Sequence, residues 1–168
     1  QVNALPLLAE LDNLVILRTF SKSYGLASLR VGLGFASSAL IEQLDKVRDS
    51  YNIDRLAQAG ARAALEDQEY LQASVTAVIC ERERLSHALQ GLGFSVAPSQ
   101  ANFIFVTPPV VYPAAQMYAD LEKAGILVRY FSDPQLSHGL RITIGTPDEM
   151  DQVIEVISGL LAAVGVRK

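Results

Sequence analysis

The stretch Leu14-Val15-Ile16-Leu17-Arg18-Thr19-Phe20-Ser21-Lys22-Ser23-Tyr24-Gly25 decides how this chain reads. Its first four residues form a continuous apolar run. Such a run predicts a strand buried on both faces, as in a parallel sheet. Residues 31–36 (VGLGFA) predict a second short strand, whose glycines imply close approach of neighbouring chain. The polar loop between the strands then lies at a strand's carboxyl end, where open α/β sheets bind ligands. Lys22 sits in that loop between two serines. An unprotonated lysine amine there can form an imine with a carbonyl compound. Thr19, Ser21 and Ser23 add hydroxyls and Arg30 adds a fork of N–H donors, a set suited to a phosphate. A surface loop carrying a solvated lysine explains the same residues about equally well.

Working outward, Ser38 can cap a helix that runs to residue 47, residues 48–55 are polar and broken, and residues 56–65 are alanine-rich and helical. Residues 66–92 predict one long helix, with Leu71, Val75, Val78, Leu85 and Leu89 at spacings of three, four and seven. Gly91 and Gly93 end it. The domain boundary is placed inside this helix, giving domains 1–75 and 76–168. Beyond it come strands at 94–97 and 102–106, a helix at 112–124 stopped by Gly125, and strands at 126–130 and 140–144. Thr146-Pro147-Asp148-Glu149 is a capping box that starts the last helix. The order reads as the end of an α/β domain followed by a small α+β domain.

The 168 residues are half hydrophobic, enough to bury a real core. The apolar surplus leads us to expect a surface meant for a partner or for further chain. Net charge is 14 − 18 = −4 with no basic stripe, which argues against nucleic-acid binding. Cys80 is the only cysteine, so a disulfide framework is excluded within one chain and a reducing, cytoplasmic setting fits. It reads as a packed thiol within the long helix. His87 and His138 have no metal-ligand spacing, so no metal site is expected and both read as structural or solvated. No stretch of about 18 apolar residues predicts a membrane span. The start, Gln1-Val2-Asn3, is neither a signal peptide nor an initiator methionine, so a processed terminus or a piece of a longer chain is expected.

The segment Thr19-Phe20-Ser21-Lys22-Ser23-Tyr24-Gly25-Leu26-Ala27-Ser28-Leu29-Arg30-Val31-Gly32 resembles the cofactor-lysine segment of class I/II aminotransferases, enzymes that use pyridoxal 5'-phosphate (PLP). The resemblance is strongest to histidinol-phosphate aminotransferases. It continues through Tyr51-Asn52-Ile53, Leu56-Ala57-Gln58, Ser99-Gln100-Ala101-Asn102-Phe103 and Gly125-Ile126-Leu127-Val128-Arg129. It ends with Leu140-Arg141-Ile142-Thr143-Ile144-Gly145-Thr146. It implies an α/β fold, the C-terminal part of the aspartate-aminotransferase-like architecture: a partial large-domain sheet plus a small α+β domain. It also implies that Lys22 is the Schiff-base lysine and that Thr19, Ser21 and Arg30 bind the cofactor phosphate. Arg141 would bind the substrate carboxylate, and Arg129 is the candidate second anion-binding arginine. The implied reaction passes an amino group between glutamate/2-oxoglutarate and a phosphorylated imidazole compound, in histidine biosynthesis. The implied assembly is a homodimer.

The resemblance also implies parts not placed here: an aromatic residue stacked on the cofactor ring, an asparagine, and an Asp with a nearby Tyr. The chain alone is therefore expected not to show normal transamination. Other readings stay open. They are another class I/II enzyme, a threonine-phosphate decarboxylase-like enzyme, a non-catalytic assembly module, or a simple phosphate-binding module. Residue by residue, Arg141 could pair with a nearby acid and Arg129 could be a solvated edge residue. Asn102 could satisfy backbone groups, and Tyr24 could be half-buried wall.

Overall fold

The computed structural model describes residues 3–165. The chain divides into two compact units, Gln1–Ser74 and Val75–Lys168.

The first unit holds β1 (Ile16–Thr19), β2 (Gly32–Phe35), α1 (Ser38–Val47), α2 (Arg55–Glu66) and the first turns of α3 (Gln68–Gly91). The two strands pair antiparallel, with Ile16 opposite Phe35 and Thr19 opposite Gly32. The apolar run was expected to be a strand buried on both faces, as in a parallel sheet; its pairing with β2 is antiparallel. A parallel connection needs a crossover of a dozen or more residues, usually helical. Residues 20–31 contain only a short 3-10 turn, Ala27–Leu29, so the chain folds straight back. Burial is corrected too: Ile16 alone is buried in β1, and β2 is exposed throughout. At Gly32 a Cβ would come within 2.8 Å of the Arg18 carbonyl oxygen, which is the close approach that the glycine implied.

The buried residues of this unit are Ile16 and a cluster of Phe20, Val31, Ala57 and Ala61, the latter packed by Tyr24, Leu26, Leu29 and Ile53. Helix α2 presents small alanines to the loop. It starts at Asp54, whose carboxylate accepts from the Ala57 N–H at 2.8 Å. The N-cap of α1 is Ser37 rather than Ser38, and its hydroxyl donates to the Asp12 carbonyl at 3.1 Å instead of capping.

The second unit is an antiparallel sheet of β3 (Ser95–Val96), β4 (Phe103–Thr107), β5 (Arg129–Tyr130) and β6 (Leu140–Thr143), in the order β3-β4-β6-β5. Helices α4 (Ala114–Lys123) and α5 (Pro147–Ala163) and the rest of α3 complete it. The period of two sorts the strands cleanly. Ile104, Val106, Leu140 and Ile142 are buried in a core with Leu85, Leu89, Met117, Leu121, Ile157 and Leu161. Phe103, Phe105 and Arg141 alternate with them and are half-buried.

Strand β5 is shorter than the expected 126–130. Gly125, at φ +81°, ends α4 in the left-handed conformation, and the Ile126 N–H donates to the Leu121 carbonyl at 2.9 Å. That helix ending takes up the residues the strand was expected to use. The capping box of α5 forms as read: the Thr146 side chain accepts from the Glu149 N–H and the Glu149 carboxylate accepts from the Thr146 N–H. Cys80 is exposed on α3, which corrects the reading of a packed thiol. No helix among the described residues is long and apolar enough to cross a membrane.

Candidate active site

The site residues of the first unit are carried by the loop that joins β1 to β2. Phe20 pins this loop. It is 1% exposed, its ring centroid lies 4.7 Å from that of Tyr24, and its N–H donates to the Val31 carbonyl at 3.2 Å. Its own carbonyl accepts from the Leu26 N–H at 3.0 Å, and Gly25 N–H donates to the Lys22 carbonyl at 2.9 Å. The buried ring and these backbone bonds close residues 20–31 into a compact excursion. The polar side chains between the pins are left at the surface.

Thr19 and Ser21 are brought together. The Thr19 hydroxyl donates to Ser21 Oγ at 2.8 Å, and the Ser21 N–H donates to Thr19 Oγ1 at 3.1 Å. Lys22 is exposed, and its amine has no hydrogen bond or ion pair among the described residues. Arg30 has φ +54°, which makes it the sole non-glycine residue in the left-handed region among the described residues. Its guanidinium donates to the Ala27 carbonyl at 2.8 Å and not to Thr19, Ser21 or Lys22. No Asp or Glu occurs from residue 13 to residue 41, while Arg18, Lys22 and Arg30 do. An acid-free stretch with hydroxyl, amine and guanidinium donors suits a phosphorylated aldehyde such as PLP.

The other two predicted arginines belong to the second unit. Arg129 on edge strand β5 stands directly opposite Arg141 on β6. Neither has an acidic partner among the described residues, and Arg141 Nε is buried without a hydrogen-bond partner. The possibility that Arg141 pairs with a nearby acid is therefore not realised here. Aromatic rings take that place. Arg129 Cζ lies 5.1 Å from the Phe131 ring centroid, and Arg141 Cζ lies 5.3 Å from Phe103 and 5.8 Å from Phe131. Such contacts attract a guanidinium without consuming its donors. Sequence reading missed Phe103 and Phe131. The signal for Phe103 was there, in its alternation with the buried Ile104. Phe131 lies past the end of β5, where no strand period was visible.

His138 packs edge-on against Phe105, with centroids 5.4 Å apart, as part of the same sheet face. Asn102 contributes its carbonyl, which accepts from the Ile144 N–H at 2.9 Å. No group of three or more potential metal ligands occurs among the described residues.

Away from these clusters, Asp120 of α4 accepts from Lys123 at 2.8 Å, Gln116 at 2.7 Å and Tyr112 at 2.8 Å. Lys123, with help from the other two donors, pulls the Asp120 carboxyl down to about 2. Burial, together with the carboxylate beside it, pushes the Tyr112 phenol up to about 12.

Residues 1–157 match the family model described as aminotransferase class I and II. The chain is 50% identical to a histidinol-phosphate aminotransferase of Geotalea daltonii over 92% of its own length and 44% of the relative's. It is 48% identical to one from Microcystis aeruginosa, over 95% of this chain and 45% of that one. Its fold is similar to the crystal structure of histidinol-phosphate aminotransferase from Sinorhizobium meliloti in complex with pyridoxal-5'-phosphate. That match has a TM-score of 0.77 and 31% identity, and covers 89% of this chain and 42% of that one. The chain thus spans less than half the length of these relatives.

Proposed function

Because the chain belongs to the class I and II aminotransferase family, we propose that it supplies the cofactor lysine and substrate arginines of a PLP-dependent histidinol-phosphate aminotransferase. The reaction is L-histidinol phosphate + 2-oxoglutarate to imidazole-acetol phosphate + L-glutamate, a step of histidine biosynthesis. The observation that carries this reading is the pinned loop of residues 20–31. It presents an unpartnered Lys22 amine and phosphate-type donors in a stretch with no acid, within a chain half identical to enzymes of that name.

The roles follow from the side chains. Thr19, Ser21 and Arg30 hold the cofactor phosphate by charge-assisted hydrogen bonds. Lys22 would hold the cofactor at its aldehyde carbon, and its amine would move a proton at the substrate Cα. PLP, when bound, supplies the electron sink for that deprotonation. Arg141 and Arg129 bind the anionic ends of the substrates, and their planar forks accommodate both carboxylate and phosphate. The donor and acceptor substrates carry different anions, so one pair of arginines must serve both. A homodimer in the cytoplasm completes the proposal, supported by the usual assembly of the family and by the single, exposed cysteine.

The test is spectroscopic and chemical. PLP is added to the wild-type protein and to Lys22→Ala, followed by borohydride reduction and mass spectrometry. Wild type is expected to gain a visible band and a cofactor mass on the peptide that contains Lys22, and Lys22→Ala to gain neither. Equal spectra and masses would sink the assignment. In a longer chain that carries the parts not placed here, amino transfer from glutamate to imidazole-acetol phosphate, measured against carbon dioxide release from O-phosphothreonine, separates this reading from a decarboxylase.

A further inference from the structure

We propose that Phe131 is a positioning residue: its ring is the shared rest on which Arg129 and Arg141 are held as one two-armed anion receptor. This rests on the reading of both arginines as substrate-binding.

Two arginines directly opposite each other across β5 and β6 repel. An acidic residue between them would relieve the repulsion, but it would also neutralise the pair and compete with an incoming anion. Phe131 avoids both costs. It touches both guanidinium groups, at 5.1 Å and 5.8 Å, through its π-face. It accepts no conventional hydrogen bond, so the N–H donors stay available for a ligand.

The backbone explains the placement. Along β5 successive side chains alternate faces, so Tyr130 turns to the core, where it stacks on Tyr118 at 5.9 Å. Arg129 and Phe131 flank it on the open side with Arg141. Phe103, opposite Thr143 in the β4·β6 register, supplies a second ring for Arg141 at 5.3 Å. Arg141 therefore lies against two rings, with its buried Nε still unpartnered. Holding the side chains in place before the anion arrives is what the rings contribute, because flexible arginines must otherwise be ordered on binding.

The test titrates succinate, a two-headed carboxylate, into the intact protein. It follows the side-chain Nε–Hε signals of Arg129 and Arg141 by NMR, assigned with Arg129→Lys and Arg141→Lys. In the wild type both protons are expected to be shifted by the Phe131 ring current. Phe131→Leu is expected to abolish that shift at Arg129, to reduce it at Arg141, which keeps the Phe103 ring, and to weaken succinate about three- to tenfold. Phe131→Tyr, which keeps the π-face, is expected to retain the affinity. Wild-type affinity in Phe131→Leu, or equal weakening in Phe131→Tyr, overturns the proposal. If Phe131→Leu fails to fold, the wild-type Arg129 shift and Phe131→Tyr still decide, and an unshifted Arg129 proton overturns it. Unchanged succinate affinity in Arg141→Lys instead overturns the anion-binding reading beneath it, whatever the ring-current shifts show.

Discussion

At the scale of single residues, Arg30 combines a backbone penalty with a proposed duty. A non-glycine residue at φ +54° costs about 1–2 kcal/mol. Arg30→Gly is therefore expected to raise unfolding stability by up to about 1 kcal/mol while weakening PLP retention several-fold, checked by denaturant melts and cofactor titration. A variant that loses both, or neither, contradicts the phosphate role. The Tyr112–Asp120 pair gives a pH signature. Asp120 has a folded-state pKa of about 2, below the ordinary carboxylate value. Its stabilisation is present above about pH 4 and is lost as pH falls through about 2. Tyr112 is raised to about 12, so its contribution is present below about pH 10 and is lost as pH rises through about 12. Melting curves across pH are expected to show that Asp120→Asn removes the acid-side slope and Tyr112→Phe the alkaline one. Lys22, Arg30 and Arg141 could be put forward from the sequence because their types and offsets match a known segment order, and the structure shows where they lie without testing their roles. Phe131 could not be, because a ring that serves two arginines is defined by strand register, and register joins residues far apart in the chain.

At the scale of elements, helices were read more accurately than strands. Periodicity and caps are local, so the long α3, the alanine-rich α2 and the capping box at Thr146 could be read in place. Strand direction is not local. The apolar run at residues 14–17 suggested a parallel sheet, but the short loop after it turns the chain straight back into an antiparallel pair. That loop depends on Phe20 more than on any polar contact. Phe20→Ala is expected to cost about 3–5 kcal/mol in the first unit and to free the Lys22 loop, seen as faster amide exchange over residues 20–31. Retained protection there would show that the polar side chains hold the loop. Thr146→Ala removes one half of a reciprocal cap and is expected to lower stability by about 1 kcal/mol in thermal unfolding.

For the whole molecule, the two units differ sharply in what they bury. The core cluster of the second unit has sixteen buried residues among those described, and that of the first has four, two of them alanines. In the first unit Leu17 is 73% exposed, Val47 80%, Tyr51 95% and Leu56 81%. The apolar surplus noted in the composition is thus concentrated where β1, β2, α1 and α2 meet solvent, on a surface that further chain or a second copy would cover. Hydrogen exchange of this chain alone is expected to run at least about tenfold faster through β1, β2 and α2 than through β4, β6 and α5. Equal protection in both would mean that the exposed apolar faces are covered in solution, and the oligomeric state would then need measuring alongside.

Strand β5 also limits how far the molecule can change in length. Only Arg129 and Tyr130 pair with β6. Deleting one residue from the connection between Gly125 and Arg129 would slip the pairing by one position and exchange the two faces. A guanidinium charge would be driven among Ile126, Val128 and Tyr118, and a phenol would stand opposite Arg141 in place of Arg129. Substitutions in that connection can be absorbed one at a time, but a single-codon indel would act as a double fault, unsettling the core and parting Arg129 from Arg141 at once.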